Sequence, residues 1–227
     1  MSPEWIDLSH AYHADIPPGR IGPELDFHLD TLHSADETQG LANLQRLSIL
    51  SHQGTHLDAP CHILKGSPSL DQIPLDRFYG AGFVLGVDPG AEVITVEMLR
   101  KASGRIETGD FVFLATGMDR YFSSNDERYY EHPYLAAEAA RWLVDLGVAV
   151  VGIDAMSLDM PASKRDHGFR YRAHEVLLGN GVLIIENLAN LAGLIGSRIE
   201  IMALPISIQG ADGAPARVVA RPLRAAA

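Results

Sequence analysis

Apolar positions along the chain are grouped into short runs rather than into long amphipathic stretches. The runs are rich in β-branched and aromatic residues, and several are bounded by Gly, Pro or Asp, which is typical of β-strands. They predict strands at WIDLS, LQRLSIL, GFVLGV, DFVFLAT, VAVVGI, VLIIEN, RIEIMAL and ARVVA.

Three segments between these runs have the apolar spacing of helices. TVEMLRKAS predicts a short helix with Thr95 as its N-cap. PYLAAEAARWLVDLG predicts a helix with Pro133 near its start and Gly147 at its end, and RAHEVLLGNG predicts one that ends at Gly179. Strands outnumber helices and do not alternate with them regularly. The predicted fold class is therefore mixed α/β and not a doubly wound parallel sheet.

Length and composition favour a single domain over residues 1–227. A chain of this length can bury a full hydrophobic core, and no Gly/Ser- or Pro-rich linker divides it. The polar stretch YFSSNDERYYEHP is predicted to be a loop inserted in that domain.

Composition also disfavours several classes of function. The formal net charge of −11, without a local basic patch, argues against nucleic acid as a partner. The single cysteine excludes an internal disulfide framework, and no apolar run has membrane-spanning length. Since no signal peptide opens the sequence, we expect a soluble cytoplasmic protein that acts on a small molecule and not at a membrane.

One polar segment, SHQGTHLDAPCHIL, concentrates potential metal ligands. His52, His56, Asp58 and His62 all occupy even positions. Side chains alternate along an extended chain, so an extended conformation would project all four to the same side. A helix would separate them, and Pro60 also argues against a helix.

These side chains indicate a metal site, because imidazole nitrogen and carboxylate oxygen are preferred ligands of zinc and similar divalent ions. Gly54 is expected to allow close approach of another part of the backbone, and Pro60 favours an edge strand or a loop. A polar strand with three surface histidines is the alternative interpretation. A catalytic metal site would also need ligands from elsewhere in the chain and an open coordination position.

Further candidates lie in the second half of the chain. Glu186 ends the apolar run VLII, where a charge is costly to bury without a partner, although it could also reach solvent at the strand end. His174 lies on a predicted helix and indicates little by itself. Asp154, Ser157 and Asp159 follow a predicted strand and are interpreted as turn-forming residues.

Two more features have structural interpretations. In the loop GADGAPARVVA, Asp212 and Arg217 are predicted to form an ion pair rather than to contact substrate. Cys61 is interpreted as a small buried residue behind the site. It is adjacent to His62, and neighbours in an extended chain point to opposite faces, so the two are not expected to form a catalytic dyad.

The segment HQGTHLDAPCH resembles the H-x-G-T-H-x-D-x-P-x-H signature of the metal-dependent cyclase family, which includes bacterial kynurenine formamidases and isatin hydrolases. Further segments resemble landmarks of this family and follow in the family's order, so the resemblance covers nearly the whole chain. They are IDLSH, FLATGMD, GIDAMSLD, HEVLLGNGVLIIENL and GADGAPARVVA.

The resemblance implies a site with two divalent metal ions, with zinc preferred and manganese as the alternative. His52, His56 and Asp58 resemble ligands of the first ion, and Asp58 would bridge to the second. His174 resembles a ligand of the second ion, and Glu186 resembles a further ligand that contacts both.

The resemblance also implies a fold and a mechanism. The family fold is a swivelling β/β/α domain with a mixed, barrel-like sheet and flanking helices, and its members form homodimers or homotetramers. His62 resembles the histidine to which the family assigns proton transfer. Two divalent ions with two carboxylates would leave the site cationic. A bound water would then lose a proton readily, and the resulting hydroxide would attack a carbonyl.

The activity that the resemblance implies most directly is an arylformamidase-like hydrolysis of N-formyl-L-kynurenine or a related aryl formamide. Many kynurenine formamidases have an aromatic residue before Pro-Gly-Asp, where this chain has Pro17 and Arg20 within DIPPGRIGP. Ring opening of a cyclic amide or lactone such as isatin is therefore an alternative, because it uses the same chemistry. A metal-binding protein without catalysis and a cysteine hydrolase using Cys61 are alternatives from other classes.

Overall fold

Strands form a closed barrel in the computed structural model, which describes residues 4–18, 27–37, 42–88, 90–102, 106–123 and 126–223. The strands in chain order are β1 (Ile6–Asp7), β2 (His28–His33), β3 (Leu44–Ser48), β4 (His56–Asp58), β5 (Tyr79–Gly86), β6 (Val93–Ile94), β7 (Phe111–Ala115), β8 (Tyr134–Leu135), β9 (Val150–Ile153), β10 (Leu183–Glu186), β11 (Arg198–Pro205) and β12 (Gly213–Pro222). The order around the barrel is β12, β11, β5, β7, β9, β10 and β4, and β4 closes the ring by pairing with β12. β1 also pairs with β12, beyond the residues that pair with β4.

The barrel combines parallel and antiparallel pairing. β5, β7, β9 and β10 are parallel to one another, whereas β4, β11 and β12 are antiparallel to their neighbours. Helices α1 (Val96–Ala102), α2 (Ala137–Asp145) and α3 (Arg172–Gly179) pack against the parallel strands. Among the described residues, no helix has the length and apolar character needed to cross a membrane. Short 3₁₀ helices lie at Pro60–His62, Leu70–Gln72, Leu75–Phe78, Met118–Tyr121, Glu127–Glu131, Ala162–Lys164 and Ala192–Leu194.

The core is divided into two apolar clusters by the parallel strands. One cluster joins one face of the strands to the helices, and the other fills the barrel around the buried rings of Phe111 and Phe113. Gly152 leaves space for Phe113, since a Cβ atom at position 152 would lie 2.6 Å from the Phe113 ring. The alternation along each strand therefore supplies apolar side chains to both clusters, as a sheet buried on both faces requires.

The structure confirms the mixed α/β class with a barrel-like sheet and flanking helices. A strand overlaps each of the eight predicted apolar runs, and each of the three predicted helical segments contains a helix. Thr95 caps α1 by accepting a hydrogen bond from the Met98 backbone N–H. The predicted start of the second helix is wrong: Tyr134–Leu135 forms β8, which pairs with β6, and the helix begins only at Ala137.

The stretch YFSSNDERYYEHP is not simply a polar loop, which corrects the sequence interpretation. It includes a 3₁₀ helix at Glu127–Glu131, and the side chains of Tyr129, Tyr130 and His132 are buried. The Tyr129 hydroxyl donates a hydrogen bond to Asn187, directly after β10. The aromatic half of the stretch therefore belongs to the core.

β2 and β3 form a separate antiparallel hairpin that was only half predicted, because the pattern indicated β3 alone. All residues of both strands are exposed, including Leu29 and Leu47, which are paired across the hairpin. Arg20 precedes this hairpin and lies outside the described residues, whereas Pro17 is buried.

Candidate metal centre and pocket

The segment SHQGTHLDAPCHIL brings its polar side chains together by a route that differs from the predicted one. Only His56–Asp58 is a strand, while His52 lies in the preceding turn and His62 ends a 3₁₀ helix. His56 and Asp58 project to one side because they are two residues apart in β4. The expectation of one continuous extended segment is therefore wrong, although the four side chains do meet.

β4 is paired on both sides, which corrects the expectation of an edge strand. His56 is opposite Glu186 of β10 on one side and Pro215 of β12 on the other. The strand ends before Pro60, which opens the 3₁₀ helix as the loop interpretation expected. Gly54 has a positive φ of 62° and is approached by the Tyr12 side chain, so its role is the turn rather than close contact with another backbone.

Two elements distant in sequence complete the cluster of potential ligands. β10 carries Glu186 to the end of the barrel, and α3 presents His174. His174 Nε2 lies 3.3 Å from Glu186 Oε1 and 3.5 Å from Asp58 Oδ2. His56 Nε2 lies 3.3 Å from Asp58 Oδ1, and His52 Nδ1 lies 2.8 Å from the same oxygen. All five predicted ligands therefore lie together, and Glu186 is buried instead of reaching solvent.

Outer hydrogen bonds orient two of the imidazoles. His56 Nδ1 donates to the Gly54 carbonyl at 2.8 Å, and His174 Nδ1 donates to Asp159 Oδ2 at 2.6 Å. Each ring therefore directs its Nε2 towards the cluster, an arrangement typical of metal-ligating histidines. Asp159 also accepts bonds from the backbone N–H groups of Ala173 and His174, so interpreting it only as a turn residue was wrong.

The cluster fits a divalent cation. His56 Nε2 and Asp58 Oδ2 are buried and have no hydrogen-bond partner within the described part of the chain. Among the described residues, potential ligands form three groups whose donor atoms lie within 4.8 Å of one another, and Asp58 belongs to two of them. The groups are His52–His56–Asp58, Asp58–His174–Glu186 and His52–His62–Asp212. Imidazole with carboxylate is a donor set that zinc and manganese accept.

Electrostatics within the protein indicate how strongly these groups interact. Burial alone would raise the pKa of Asp58, but the proximity of the His56, His174 and His52 imidazoles lowers it well below its usual range. Burial would lower the pKa of His174, but Glu186, Asp159 and Asp58 raise it well above its ordinary value. The site thus favours cationic charge beside buried carboxylates, which is what a bound metal ion would supply.

His62 has a carboxylate partner that sequence analysis assigned elsewhere. Its Nδ1 donates to Asp212 Oδ2 at 3.1 Å, and the same oxygen lies 3.1 Å from His52 Nε2. Arg217 pairs instead with Asp7, so the predicted Asp212–Arg217 ion pair is wrong. Burial would raise the pKa of Asp212, but the proximity of His62 and His52 lowers it.

A cavity of about 360 Å³ opens onto this cluster. His52, His62, His174 and Glu186 form its polar end, and the buried Tyr130 and His132 contribute to its wall. The remaining lining residues are Leu50, Ser51, Glu131, Met156, Ser157, Ala162, Ser163, Arg165 and Tyr171. The volume is within the usual range for small-molecule sites, about 300–1,000 Å³.

Cys61 does not line this cavity and is half-buried, with its Sγ 3.8 Å from the Ala211 carbonyl oxygen. Burial raises the pKa of its thiol, and the nearby Asp212 adds to that effect. A raised pKa disfavours the thiolate that a nucleophilic cysteine requires. The geometry therefore supports the structural interpretation of Cys61 rather than a cysteine hydrolase.

Gly213 supports the His52 ring, since a Cβ atom at this position would lie 2.4 Å from His52 Cε1. Gly213→Ala is expected to displace the imidazole and to weaken metal binding by about 10–100-fold, the usual effect of disturbing a ligand's orientation. Competition with a chromophoric chelator would measure the affinity. Gly193→Ala is the matched control, because a Cβ atom there meets no atom of the described residues within 4 Å. Equal affinity in both variants would contradict this role.

Sequence reasoning missed Asp212 and Asp159 as partners of the histidines. A Gly on either side of Ala211-Asp212 indicated a loop, but nothing local indicated that this loop lies against His62. Asp159 precedes His174 by 15 residues, and only the fold of the intervening chain brings them into contact. Both contacts depend on tertiary structure rather than on spacing.

Comparison with known proteins identifies the family. The family model described as "Putative cyclase" matches residues 6–160, which include β4 with its His56 and Asp58, and the chain belongs to this Cyclase family. The kynurenine formamidase of Salinibacter ruber is 32% identical over 82% of this chain and 83% of its own length.

Solved structures agree with this assignment. Isatin hydrolase A from Labrenzia aggregata, bound to benzyl benzoate, aligns with a TM-score of 0.84 at 26% identity over 96% of this chain and 93% of its own. A protein from Bacillus stearothermophilus described as a "predicted metal-dependent hydrolase" aligns with a TM-score of 0.77 at 28% identity, covering 97% of this chain and 98% of its own. The barrel and its helices are thus the fold of this family.

Proposed function

We propose that this protein is a metal-dependent hydrolase that cleaves the amide bond of an aryl formamide, with N-formyl-L-kynurenine as the leading substrate. The observation that carries the proposal is the position of His62. It stands at the end of a substrate-sized cavity, beside a buried donor set for divalent metal, with its Nδ1 held by Asp212. The kynurenine formamidase relative supports the choice of substrate.

The proposed ligands are the five predicted from the sequence: His52, His56, Asp58, His174 and Glu186. We assign them two divalent ions, with zinc as the leading choice and manganese as the alternative, because Asp58 belongs to two overlapping groups of donors. Divalent ions bound there would supply Lewis acidity, which lowers the pKa of water and polarises a carbonyl.

The role proposed for His62 is proton transfer to the leaving amine. Its Nδ1–H is engaged by Asp212, so Nε2 is the nitrogen that is left to exchange a proton with substrate. Asp212 fixes this tautomer and stabilises the imidazolium that forms. His56 and His174 keep their ring orientation through hydrogen bonds to the Gly54 carbonyl and to Asp159.

Ring opening of a cyclic amide such as isatin is the second candidate. The high structural similarity to isatin hydrolase A favours it, as does Pro17 at the position where many kynurenine formamidases have an aromatic residue. Both reactions break a carbonyl–nitrogen bond and release an aryl amine, so they need the same proton donor. They differ in the shape of substrate that the cavity admits.

Metal analysis of the pure protein, combined with a turnover screen, tests the proposal. We expect divalent metal to copurify and formate to be released from N-formyl-L-kynurenine faster than isatin or small lactones are opened. Faster opening of isatin would establish the second candidate. Absence of metal after loading with zinc or manganese would contradict both.

Asp212→Asn tests the positioning of His62. An amide carries no charge to stabilise imidazolium, and hydrogen bonds to charged groups contribute about 1.5–3 kcal/mol, less where solvent screens them. We therefore expect kcat to fall roughly tenfold, with KM and metal content unchanged. Asp145→Asn, on the exposed face of α2, is the control. If Asp212→Asn loses metal in proportion to activity, Asp212 is a ligand in the His52–His62 group instead.

A further inference from the structure

Arg165 lines the same cavity as the candidate metal centre and brings a positive charge to its wall. Within the described residues, no Asp or Glu oxygen lies within 4.0 Å of its guanidinium. The neighbouring Lys164 differs, because it is paired with Glu92 at 2.9 Å and does not line the cavity. In a chain of net charge −11, an unpaired arginine at a pocket wall is a feature to explain.

The Arg165 side chain is held in place without using its whole hydrogen-bonding capacity. Nε donates to the Met160 carbonyl at 2.8 Å, and Nη1 donates to the Tyr171 hydroxyl at 3.1 Å. The guanidinium carbon lies 4.3 Å from the centre of the Phe169 ring and 4.9 Å from that of Tyr171. Stacking on rings restricts the fork, so little further entropy is lost when it binds a ligand.

Two neighbouring nitrogens of the fork keep donors for a ligand. A guanidinium has five N–H groups, and the described contacts of Arg165 use one on Nε and one on Nη1. The second N–H of Nη1 and both of Nη2 are left, and a pair of parallel donors is the arrangement that matches the two oxygens of a carboxylate. Glu131 lines the cavity as well and could face a substrate ammonium.

We propose that Arg165 is the specificity-determining residue of this pocket and binds the carboxylate of the substrate, so that the preferred substrates are aryl formamides carrying an acidic side chain. The proposal rests on the proposed function, which supplies the reacting formamide. The carboxylate would bind at the Arg165 wall while the amide lies against the metal centre and His62. Recognition of the substrate then depends on the charge of its carboxylate, which is distant from the amide bond that breaks.

The test compares N-formyl-L-kynurenine with its α-carboxamide, which has the same shape but no negative charge. We expect the metal-loaded wild type to prefer the acid by about 10–100-fold in kcat/KM, mainly through KM, since charge-assisted bidentate bonds are among the strongest. Arg165→Met should bring this ratio close to one. Arg165→Lys, which keeps the charge but not the fork, should give an intermediate ratio.

Lys164→Met is the matched control, because it removes the same charge one residue away and outside the cavity. We expect it to keep the wild-type preference. Calorimetry of the binding of the product, L-kynurenine, and of its carboxamide should show the same preference for the acid without turnover. This measurement also tests Arg165→Met if that variant is poorly active.

Three results would overturn the assignment of Arg165: equal use of acid and carboxamide by the wild type, an unchanged preference in Arg165→Met, or an equal loss in Lys164→Met. A neutral formamide, 2-formamidoacetophenone, separates these from failure of the proposed function. If the wild type hydrolyses it but does not favour the acid, only the role of Arg165 is wrong. If no formamide is hydrolysed by metal-loaded protein, the proposed function is wrong and the specificity proposal fails with it.

Discussion

Asp58→Ala is expected to lose most of its bound metal and with it essentially all hydrolysis. Asp58 is fully buried and belongs to two of the ligand groups, where its oxygens approach His52, His56 and His174. Its removal should therefore weaken the binding of both proposed ions. The loss of metal affinity should exceed the roughly 10–100-fold effect usual for outer partners of a ligand.

Metal content by inductively coupled plasma spectrometry, with turnover on the same samples, measures this effect. His174→Ala should retain more metal than Asp58→Ala, because His174 belongs to only one of the groups. Asp145→Ala, on the exposed surface of α2, controls for the loss of a carboxylate. Full metal occupancy in Asp58→Ala would show that the ligand assignment is wrong.

His62→Ala is expected to keep both ions and yet lose kcat by about 10²–10⁴-fold, the usual contribution of a general acid or base. The reason is its position beside the ligands, with Nδ1 bonded to Asp212. The loss should be smaller for substrates with good leaving groups, since these need less protonation as the bond breaks. An ester or activated anilide should therefore be less affected than a simple formamide.

The metal content of His62→Ala decides whether His62 transfers a proton or is a metal ligand. His62, His52 and Asp212 could themselves bind an ion, so His62 would be a ligand if its replacement removed metal in step with activity. The exposed His167 provides the control variant His167→Ala, which should change neither quantity. A uniform loss across leaving groups, with metal retained, would also contradict proton transfer by His62.

Sequence pattern was informative wherever the determinant was local. Apolar runs located the strands, and Thr95 and Gly147 located helix ends, because capping depends on adjacent residues. The histidine-rich segment indicated a metal site, and Glu186, a charged residue at the end of an apolar run, was a further candidate. The full set of proposed ligands, which includes His174, came from the family resemblance. The closed arrangement of the barrel came from the family resemblance rather than from periodicity.

Errors arose where partners were distant in sequence. Asp212 was assigned to Arg217 because they share a loop, but β12 pairs with β4 and brings that loop onto His62 instead. Tyr129 was placed in a polar loop, although its hydroxyl reaches Asn187 in the core. Arg165 lines the pocket only because the fold brings it to the pocket wall, and its neighbours in sequence do not indicate this. Contacts between segments that are distant in sequence cannot be predicted from local composition.

The pairing of β12 with β4 also affects how the protein is made. Among the described strands, β12 is the last in chain order, yet it is the strand that closes the barrel. Until it has left the ribosome, β4 has an unpaired edge and the His52 ring has no Gly213 against which to pack. The nascent chain therefore carries its metal donors before it has the wall that positions them. Pairing between such distant segments is slow, and the exposed strand edge is open to aggregation in the meantime.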